Sequence, residues 1–140
     1  MRNQLMDALT DADLQFDLGG DTLKLGVLCR ELGEVQHAYA ASFTSFKLQF
    51  TPGSADPTLE TSMAGLKAWY AELDRQLEAA ITALSDDVIQ NQTIERGWEI
   101  PIAVNLEVYK EALLIFYGKV SIYFRAMRKP RLQQVADWIA

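Results

Sequence analysis

One stretch of this chain, residues 105–127 (NLEVYKEALLIFYGKVSIYFRAM), constrains the fold more than any other. Apolar side chains recur along it every three or four positions, the spacing that places them on one face of an α-helix. That face comprises Leu106, Tyr109, Leu113, Phe116, Val120, Tyr123 and Met127. It is widened to about half of the helix circumference by Val108, Ala112, Ile115 and Phe124. A helix with so broad an apolar face must contact several neighbours, so the stretch predicts the central helix of a bundle.

The same periodicity recurs in other segments and predicts an all-α fold. The predicted helices cover residues 2–9, 24–50, 57–84, 102–128 and 131–139. An aspartate N-cap followed by proline, Asp56-Pro57, marks the start of the third helix. Residues 90–101 lack helical spacing, so they predict an ordered strap whose Trp98 and Ile100 lie on the bundle.

Short motifs predict how the elements are separated. Residues 10–14 and 85–88 are each typical of a single capped turn. Gly19-Gly20 breaks the chain, and Asp21 or Thr22 can cap the helix that follows. Together the elements predict one domain of residues 1–140, which is long enough to bury a core.

Charge and cysteine usage exclude several classes of protein. No run approaches about 18 uncharged apolar residues, so no membrane span is expected. The formal net charge of −6 argues against binding to duplex nucleic acid, which requires a basic surface. The single cysteine, Cys29, excludes an intrachain disulfide. Because the first residues also lack the apolar core of a signal peptide, the expected location is the cytoplasm.

Three motifs, taken in order along the chain, resemble the DinB-like (YfiT-like) family of four-helix bundle proteins. They are Leu9-Thr10-Asp11-Ala12-Asp13-Leu14 before Gly19-Gly20, Leu28-Cys29-Arg30-Glu31-Leu32, and Tyr117-Gly118-Lys119-Val120 leading to Tyr123-Phe124-Arg125. The resemblance covers nearly the whole chain. It implies a four-helix bundle that runs up-down-down-up, with a crossover at residues 51–57 and a short C-terminal helix.

The resemblance also bears on metal binding. Many family members hold a divalent metal through one histidine on the second helix and a His-x-x-x-His pair on the fourth. Those positions fall on Glu31, Ala112 and Phe116, of which only Glu31 could ligate a metal. The sole histidine, His37, lies well away from the core face of its helix. We therefore expect a degenerate site with no metal and no cofactor, and the family's metal-dependent activities, such as thiol transfer, do not carry over.

Several polar residues on apolar faces are candidates for a site. Lys119 projects back toward the position of the lost metal, where it either pairs with Glu31 or reaches solvent over the core. Gln36, at the centre of an apolar face, requires a hydrogen-bond partner, either a tyrosine or a ligand. Tyr117 and Tyr123 are core aromatics whose hydroxyl groups could line a pocket. The candidate ligand-binding residues are thus Glu31, Gln36, Tyr117, Lys119 and Tyr123, and the candidate catalytic residues are Glu31 and Lys119.

Two other features have mainly structural interpretations. Cys29 lies on the core face of its helix and is interpreted as an inert, small hydrophobic side chain. Glu34 and His37, three residues apart, form either a contact on the helix surface or a carboxylate–imidazole pair.

These residues leave three functions open. The first is a non-catalytic or ligand-binding, DinB-like protein whose metal site has decayed. The second is a metal-independent, transferase-like or hydrolase-like enzyme that uses Glu31 and Lys119, since a buried lysine with a lowered pKa can act as a base or nucleophile. The third is an interaction protein in which the bundle serves as a dimer scaffold. A polar, roomy pocket beside Glu31 and Lys119 would favour the enzyme, and a sealed apolar core would favour either of the others.

The helix lengths also predict self-association. The first predicted helix, residues 2–9, spans about two turns, whereas the long helices span about seven. Part of the apolar surface of the long helices then has no cover within the chain, and such patches usually mark an interface. We expect a two-fold symmetric homodimer formed by helix-to-helix contact. The alternative is that the strap and the C-terminal helix, with Trp138, cover that surface.

Overall fold

The computed structural model describes residues 1–130, 133, 134 and 137, and these are mainly α-helical, as the apolar periodicity predicts. The helices are α1 (Arg2–Asp7), α2 (Asp11–Leu14), α3 (Leu25–Ser45), α4 (Met63–Thr82), α5 (Asp86–Asn91) and α6 (Ile102–Ala126), with a 3-10 helix at Pro57–Glu60. Strands β1 (Thr93–Glu95) and β2 (Glu99–Pro101) form an antiparallel hairpin. The predicted C-terminal helix, residues 131–139 with Trp138, lies outside the described residues except at positions 133, 134 and 137. Over the part of the chain described, no helix combines the length and apolarity that a membrane span needs.

The helices predicted over 2–9 and 102–128 end two residues early, at Asp7 and Ala126, and two other predicted helices are shortened more. The helix predicted over 24–50 ends at Ser45, because Phe46 adopts the left-handed backbone conformation with φ 55. The helix predicted from Pro57 begins only as a 3-10 helix, capped as expected by Asp56. A second cap, the Ser62 hydroxyl accepting from the Gly65 N–H, then starts α4. Apolar spacing alone predicts one continuous helix here, but the local capping groups divide it into a 3-10 helix and α4.

The predicted turns are mostly confirmed. Thr10 and Asp13 form a reciprocal capping box at α2, and the Ser85 hydroxyl accepts from the Val88 N–H at α5. Gly19 and Gly20 both have positive φ values, which glycine adopts readily. The prediction that Asp21 or Thr22 caps α3 is wrong, since the N-cap position is Lys24 and no side chain caps it.

The strap contains more regular structure than predicted. Its first residues belong to α5, and the remainder forms the hairpin, in which Ile94 pairs with Ile100. Both isoleucines are buried, so the prediction for Ile100 is confirmed. Trp98 is 64% exposed, so the prediction for Trp98 is wrong. It follows Gly97 in the hairpin turn, outside the alternation that directs Ile94 and Ile100 inward.

The hairpin is attached to the crossover that follows α3. Lys47 and Glu95 form an isolated parallel bridge. The Leu48 N–H donates to the Glu95 carbonyl at 2.8 Å, and the Glu95 N–H donates to the Phe46 carbonyl at 3.0 Å. Two segments far apart in the sequence are thus joined by backbone hydrogen bonds at one end of the molecule.

Two clusters of buried side chains form the core, and α3 contributes to both. The cluster near α1 and α2 contains Leu5, Met6, Leu14, Leu25, Leu28, Cys29, Leu32, Leu66, Tyr70, Leu73, Phe116, Val120, Tyr123 and Phe124. The cluster near the hairpin contains Ala38, Tyr39, Phe43, Leu48, Ala80, Ile94, Ile102 and Tyr109. The central position predicted for α6 is only partly correct, because α3 packs more extensively against α4 than against α6.

Only part of the apolar face predicted for α6 is buried. Tyr109, Phe116, Val120 and Tyr123 are buried as predicted. Leu106 is 38% exposed and Ile115 is 61% exposed, which corrects their placement on the core face. The helix is apolar on more sides than its neighbours cover, and periodicity does not distinguish the covered sides from the others.

Asp13 connects the start of α2 to the end of α6. Its carboxylate accepts bonds from the Thr10 N–H and hydroxyl, both at 2.7 Å, and pairs with the Lys129 ammonium at 2.9 Å. Burial acts to raise the pKa of Asp13, but the bonds from Lys129 and Thr10 outweigh it and hold the pKa below its ordinary value of 3.8. A carboxyl group with a lowered folded-state pKa stabilises the fold above its unfolded-state pKa. That stabilisation is lost as pH falls through the folded-state pKa.

We expect Asp13→Asn to lower the free energy of unfolding by about 1 kcal/mol at neutral pH. The difference from the unsubstituted protein should begin to shrink as pH falls below the unfolded-state pKa of about 4, and it should be smallest below the folded-state pKa, where the carboxyl group is protonated in both states. Urea unfolding followed by circular dichroism across that pH range measures both quantities. Asp7→Asn is the matched control, since the Asp7 carboxylate is 71% exposed and its pair with Lys67 contributes little. A difference that does not change with pH would contradict this assignment.

Candidate functional site

The positions that the family resemblance assigns to metal ligands lie together in the structure. Glu31, Ala112, Phe116 and Lys119 line one groove of about 180 Å³ between α3 and α6. The remainder of the lining is apolar and consists of Leu28, Leu32, Val35 and Ile115. The groove is shallow, and both Glu31 and Lys119 are exposed to solvent.

The predicted pairing of Glu31 with Lys119 does not form. No ion pair closer than 4.0 Å joins them among the described residues, and Lys119 takes the solvent-reaching alternative. Within the described residues, no group of three or more His, Cys, Asp or Glu side chains could hold a metal ion. The groove therefore offers a single exposed carboxylate and a single exposed ammonium, which are not joined to each other.

Gln36 lies elsewhere, in the interior between the helices, and is fully buried. Its side-chain carbonyl accepts from the Arg2 guanidinium at 2.6 Å, and its amide donates to the Asp74 carboxylate at 2.7 Å. Arg2 also pairs directly with Asp74. The predicted partner, a tyrosine or a ligand, is thus replaced by two charged side chains from α1 and α4.

The Arg2 guanidinium is held on three sides. It stacks over the Tyr70 ring, with its central carbon 4.3 Å from the ring centroid, in a cation–π contact. Its side chain is only 12% exposed. The Nε atom is buried and has no hydrogen-bond partner within the described residues. Asp74 neutralises the charge, and Gln36 bonds to Arg2 through its carbonyl and to Asp74 through its amino group, so this network ties α1, α3 and α4 together.

Tyr70 links the network to Cys29. The Tyr70 hydroxyl donates to the Cys29 carbonyl at 2.5 Å, and both residues are buried. Burial raises the pKa of the Tyr70 phenol well above its ordinary value. Burial also raises the pKa of the Cys29 thiol to about 12, so the thiolate is not populated near neutral pH. This supports the interpretation of Cys29 as an inert core residue.

The two candidate tyrosines lie in different places. Tyr117 is half-buried near Arg2, where burial raises its pKa and the neighbouring guanidinium opposes that increase. Tyr123 donates its hydroxyl proton to the Leu23 carbonyl, and its ring lies edge-on to Phe16 at 6.5 Å. Tyr123 therefore fixes the chain before α3. The five candidate residues occupy three separate regions. Glu31 and Lys119 line the groove, Gln36 and Tyr117 lie in the interior near Arg2, and Tyr123 lies at its contact with Leu23 and Phe16.

Glu34 and His37 both hold the crossover. The Glu34 carboxylate accepts from the Gly53 N–H and from Arg30, which also bonds to Glu60 and to the Ser54 carbonyl at 2.8 Å. The His37 ring lies so close to Gly53 that an added Cβ there would be 2.8 Å from the ring. The structure thus favours a structural contact over a carboxylate–imidazole pair.

Sequence reasoning missed Arg2, Tyr70 and Asp74 as parts of the interior network. One signal was present in the first helix, where Arg2 precedes Leu5 and Leu9 at helical spacing and so shares their inward face. A second was the spacing of Tyr70 and Asp74, one helical turn apart on α4. Neither signal predicts that Arg2 and Asp74 both bond to Gln36.

No protein-family model matches the sequence, no curated protein matches it, and no solved structure matches it. The DinB-like resemblance therefore rests on its three sequence motifs.

Proposed function

We propose that this chain is a metal-free, DinB-like four-helix bundle that acts as a homodimeric interaction protein, through the outward face of α6. The up-down-down-up arrangement is supported by contacts that advance in the same direction along α3 and α4. Gly26 lies against Glu60, Gly33 against Trp69, and Gln36 bonds to Asp74. Contacts that advance together indicate parallel helices, which require a crossover between them.

The two remaining helices support the same topology. Along α3 and α6 the contacts run in opposite directions, from Ser42 with Asn105 to Leu23 with Tyr123. Along α1 and α4 they also run in opposite directions, from Arg2 with Asp74 to Asp7 with Lys67. In this proposal α1 and α6 point one way and α3 and α4 point the other.

The interior supports an interaction protein over an enzyme. Its charged and polar groups bind one another, and the groove between α3 and α6 is small and mainly apolar in its lining. An enzyme needs a nucleophile or base held within hydrogen-bond reach of a substrate in a desolvated pocket. Glu31 and Lys119 are exposed and separate, so they do not provide this arrangement.

The observation that carries the proposal is the row of exposed apolar side chains on α6. Val104 is 45% exposed, Ile115 is 61% exposed and Ile122 is 57% exposed. The three positions are separated by eleven and seven residues. At about 100° per residue, these separations place the three side chains within about 20° of one direction around the helix axis. Leu114, 47% exposed, borders this row. Single exposed apolar residues are normal, but an aligned row on one helix indicates an interface.

The hairpin does not supply the missing cover. It packs near the start of α6, where Ile102 is buried, and Val104, Ile115 and Ile122 stay exposed with it in place. A second copy can cover the row because a two-fold axis brings the same face of two α6 helices together.

Sedimentation equilibrium at micromolar concentrations tests the proposal. We expect a species of twice the chain mass of 15.7 kDa, and we expect Ile115→Asp to convert it to monomer without changing the circular dichroism spectrum. Trp98→Asp is the matched control, because Trp98 is equally exposed but lies on the hairpin turn, and it should leave the dimer intact. A single species near 15.7 kDa in the unsubstituted protein would overturn the proposal.

A further inference from the structure

We infer that the two copies pair through antiparallel α6 helices, with the two-fold axis beside Ile115 and with Glu111 of each copy bound to the partner's Lys119. This inference rests on the proposed dimer and adds its direction and register. It is carried by the order of charged and apolar residues on the outward face of α6, together with their exposure.

Half-buried Val108 and exposed Ile122 are placed symmetrically about Ile115, whereas Val104 of the row lies opposite the partner's Ala126. Consider an antiparallel pair whose two-fold axis passes beside Ile115. A residue n positions before Ile115 in one copy then lies opposite the residue n positions after Ile115 in the partner. Val108 and Ile122 lie seven positions to either side, so each faces the other across the interface. Ile115, the most exposed side chain of the row, then meets its own copy.

The charged residues obey the same symmetry with opposite signs. Glu111 and Lys119 lie four positions to either side of Ile115, so two equivalent Glu111–Lys119 contacts form. Both side chains are exposed, and neither makes an ion pair inside the described part of its own chain. Two groups without charged partners in one copy therefore become partners for each other in the pair.

A second pair of charges fits the same register. Glu107 and Arg125 are eighteen residues apart, which at about 100° per residue is five full turns, so both project to one side of the row. A two-fold axis perpendicular to the two helices keeps the side that carries Glu107 and Arg125 next to the same side of the partner helix. Glu107 then lies close to the partner's Arg125, in addition to its own contact with Lys110 at 2.5 Å.

The parallel alternative is disfavoured by these charges. If two α6 helices ran the same way with a two-fold axis along them, Glu111 would face the partner's Glu111 and Lys119 would face the partner's Lys119. Like charges in direct opposition at an interface suppress association, and opposite charges fix the register.

Gly118 gives an independent reason for a close neighbour on this face. It lies one helical turn after Ile115, and a Cβ added to it would have no atom of the described residues within 4 Å. Glycine in a helix interior is unfavourable by about 1 kcal/mol relative to alanine. A partner helix that approaches closely at this point accounts for the missing side chain.

Charge reversal tests the register. We expect Glu111→Lys and Lys119→Glu to weaken the dimer about tenfold each, because each replaces two attractive contacts by two repulsive ones. The double variant with both changes should recover the original dissociation constant, and a mixture of the two single variants should form heterodimers in preference to homodimers. Glu78→Lys, on the exposed surface of α4, is the control and should leave the dissociation constant unchanged.

Cysteine cross-linking tests the direction of the helices. In the antiparallel pair only a position beside the axis meets its own copy, so Ile115→Cys should form a disulfide-linked dimer under mild oxidation and Ile122→Cys should not. The native Cys29 is buried and does not compete. Cross-linking of both variants, or a double charge variant that stays as weak as the single ones, would overturn the antiparallel register while leaving a dimer. A monomeric unsubstituted protein would overturn the proposed function itself.

Discussion

Gly26→Ala is expected to lower the free energy of unfolding by about 3 kcal/mol. An added Cβ at this position would lie 2.0 Å from the Glu60 carbonyl oxygen and 3.0 Å from the Leu14 carbonyl oxygen. Both obstructing atoms are backbone, and they belong to the 3-10 helix and to α2, on two separate segments. Neither can rotate away as a side chain would, so α3 must move from its neighbours. Chemical denaturation followed by circular dichroism measures the loss.

Gly65→Ala is the matched control for this substitution. It is also in the first part of a helix, but the nearest atom to an added Cβ is the Ser62 hydroxyl oxygen at 3.5 Å, an ordinary contact. Alanine is favoured over glycine in a helix, so this variant should gain up to about 1 kcal/mol. A Gly26→Ala protein as stable as the original would show that α3 does not pack closely against the 3-10 helix at Gly26.

Tyr70→Ala should lower the free energy of unfolding by about 3–5 kcal/mol, the usual range for deleting a large buried aromatic side chain. The Tyr70 side chain is 2% exposed, and its ring contacts the Arg2 guanidinium on one side and stacks near Trp69, with ring centroids 6.1 Å apart. Deletion leaves a cavity and also removes the support under a guanidinium that is only 12% exposed. Thermal and urea unfolding give the change.

Tyr70→Phe separates the ring from the hydroxyl group. Only the hydrogen bond to the Cys29 carbonyl is lost, and one such bond contributes about 1 kcal/mol. The ring still contacts Arg2, so most of the stability should be retained. Equal losses in the phenylalanine and alanine variants would show that the hydrogen bond, and not packing around Arg2, is the main contribution of Tyr70.

The helices could be predicted because burial and helical spacing act together along most of the chain. Leu25, Leu28, Leu32, Gln36 and Phe43 lie on the inward face of α3 as their spacing requires. The boundaries were less predictable, because they depend on single backbone groups. The left-handed conformation of Phe46 and the Ser62 cap are each local events that leave no mark on the apolar pattern.

The interior network was harder to predict for a geometric reason. Gln36 could be recognised as a buried amide from its own helix alone, but its partners come from positions far along the chain. Arg2 reaches Gln36 across the bundle with a long side chain, so its inward role depends on where α1 packs. The exposure of Ile115 is similar, because an apolar residue on a helix gives no sign of whether its neighbour lies in the same chain or in another.

The bridge between Lys47 and Glu95 has a consequence for how the molecule opens. The crossover has no helix of its own between Phe46 and Pro57, and the hydrogen bonds of Phe46 and Leu48 are made to the hairpin. Release of the hairpin therefore exposes the amide of Leu48 to water, and detachment of the crossover exposes the amide of Glu95. We therefore expect the two segments to open together, so that the amide hydrogens of Leu48 and Glu95 exchange with solvent at similar rates while the helices stay folded.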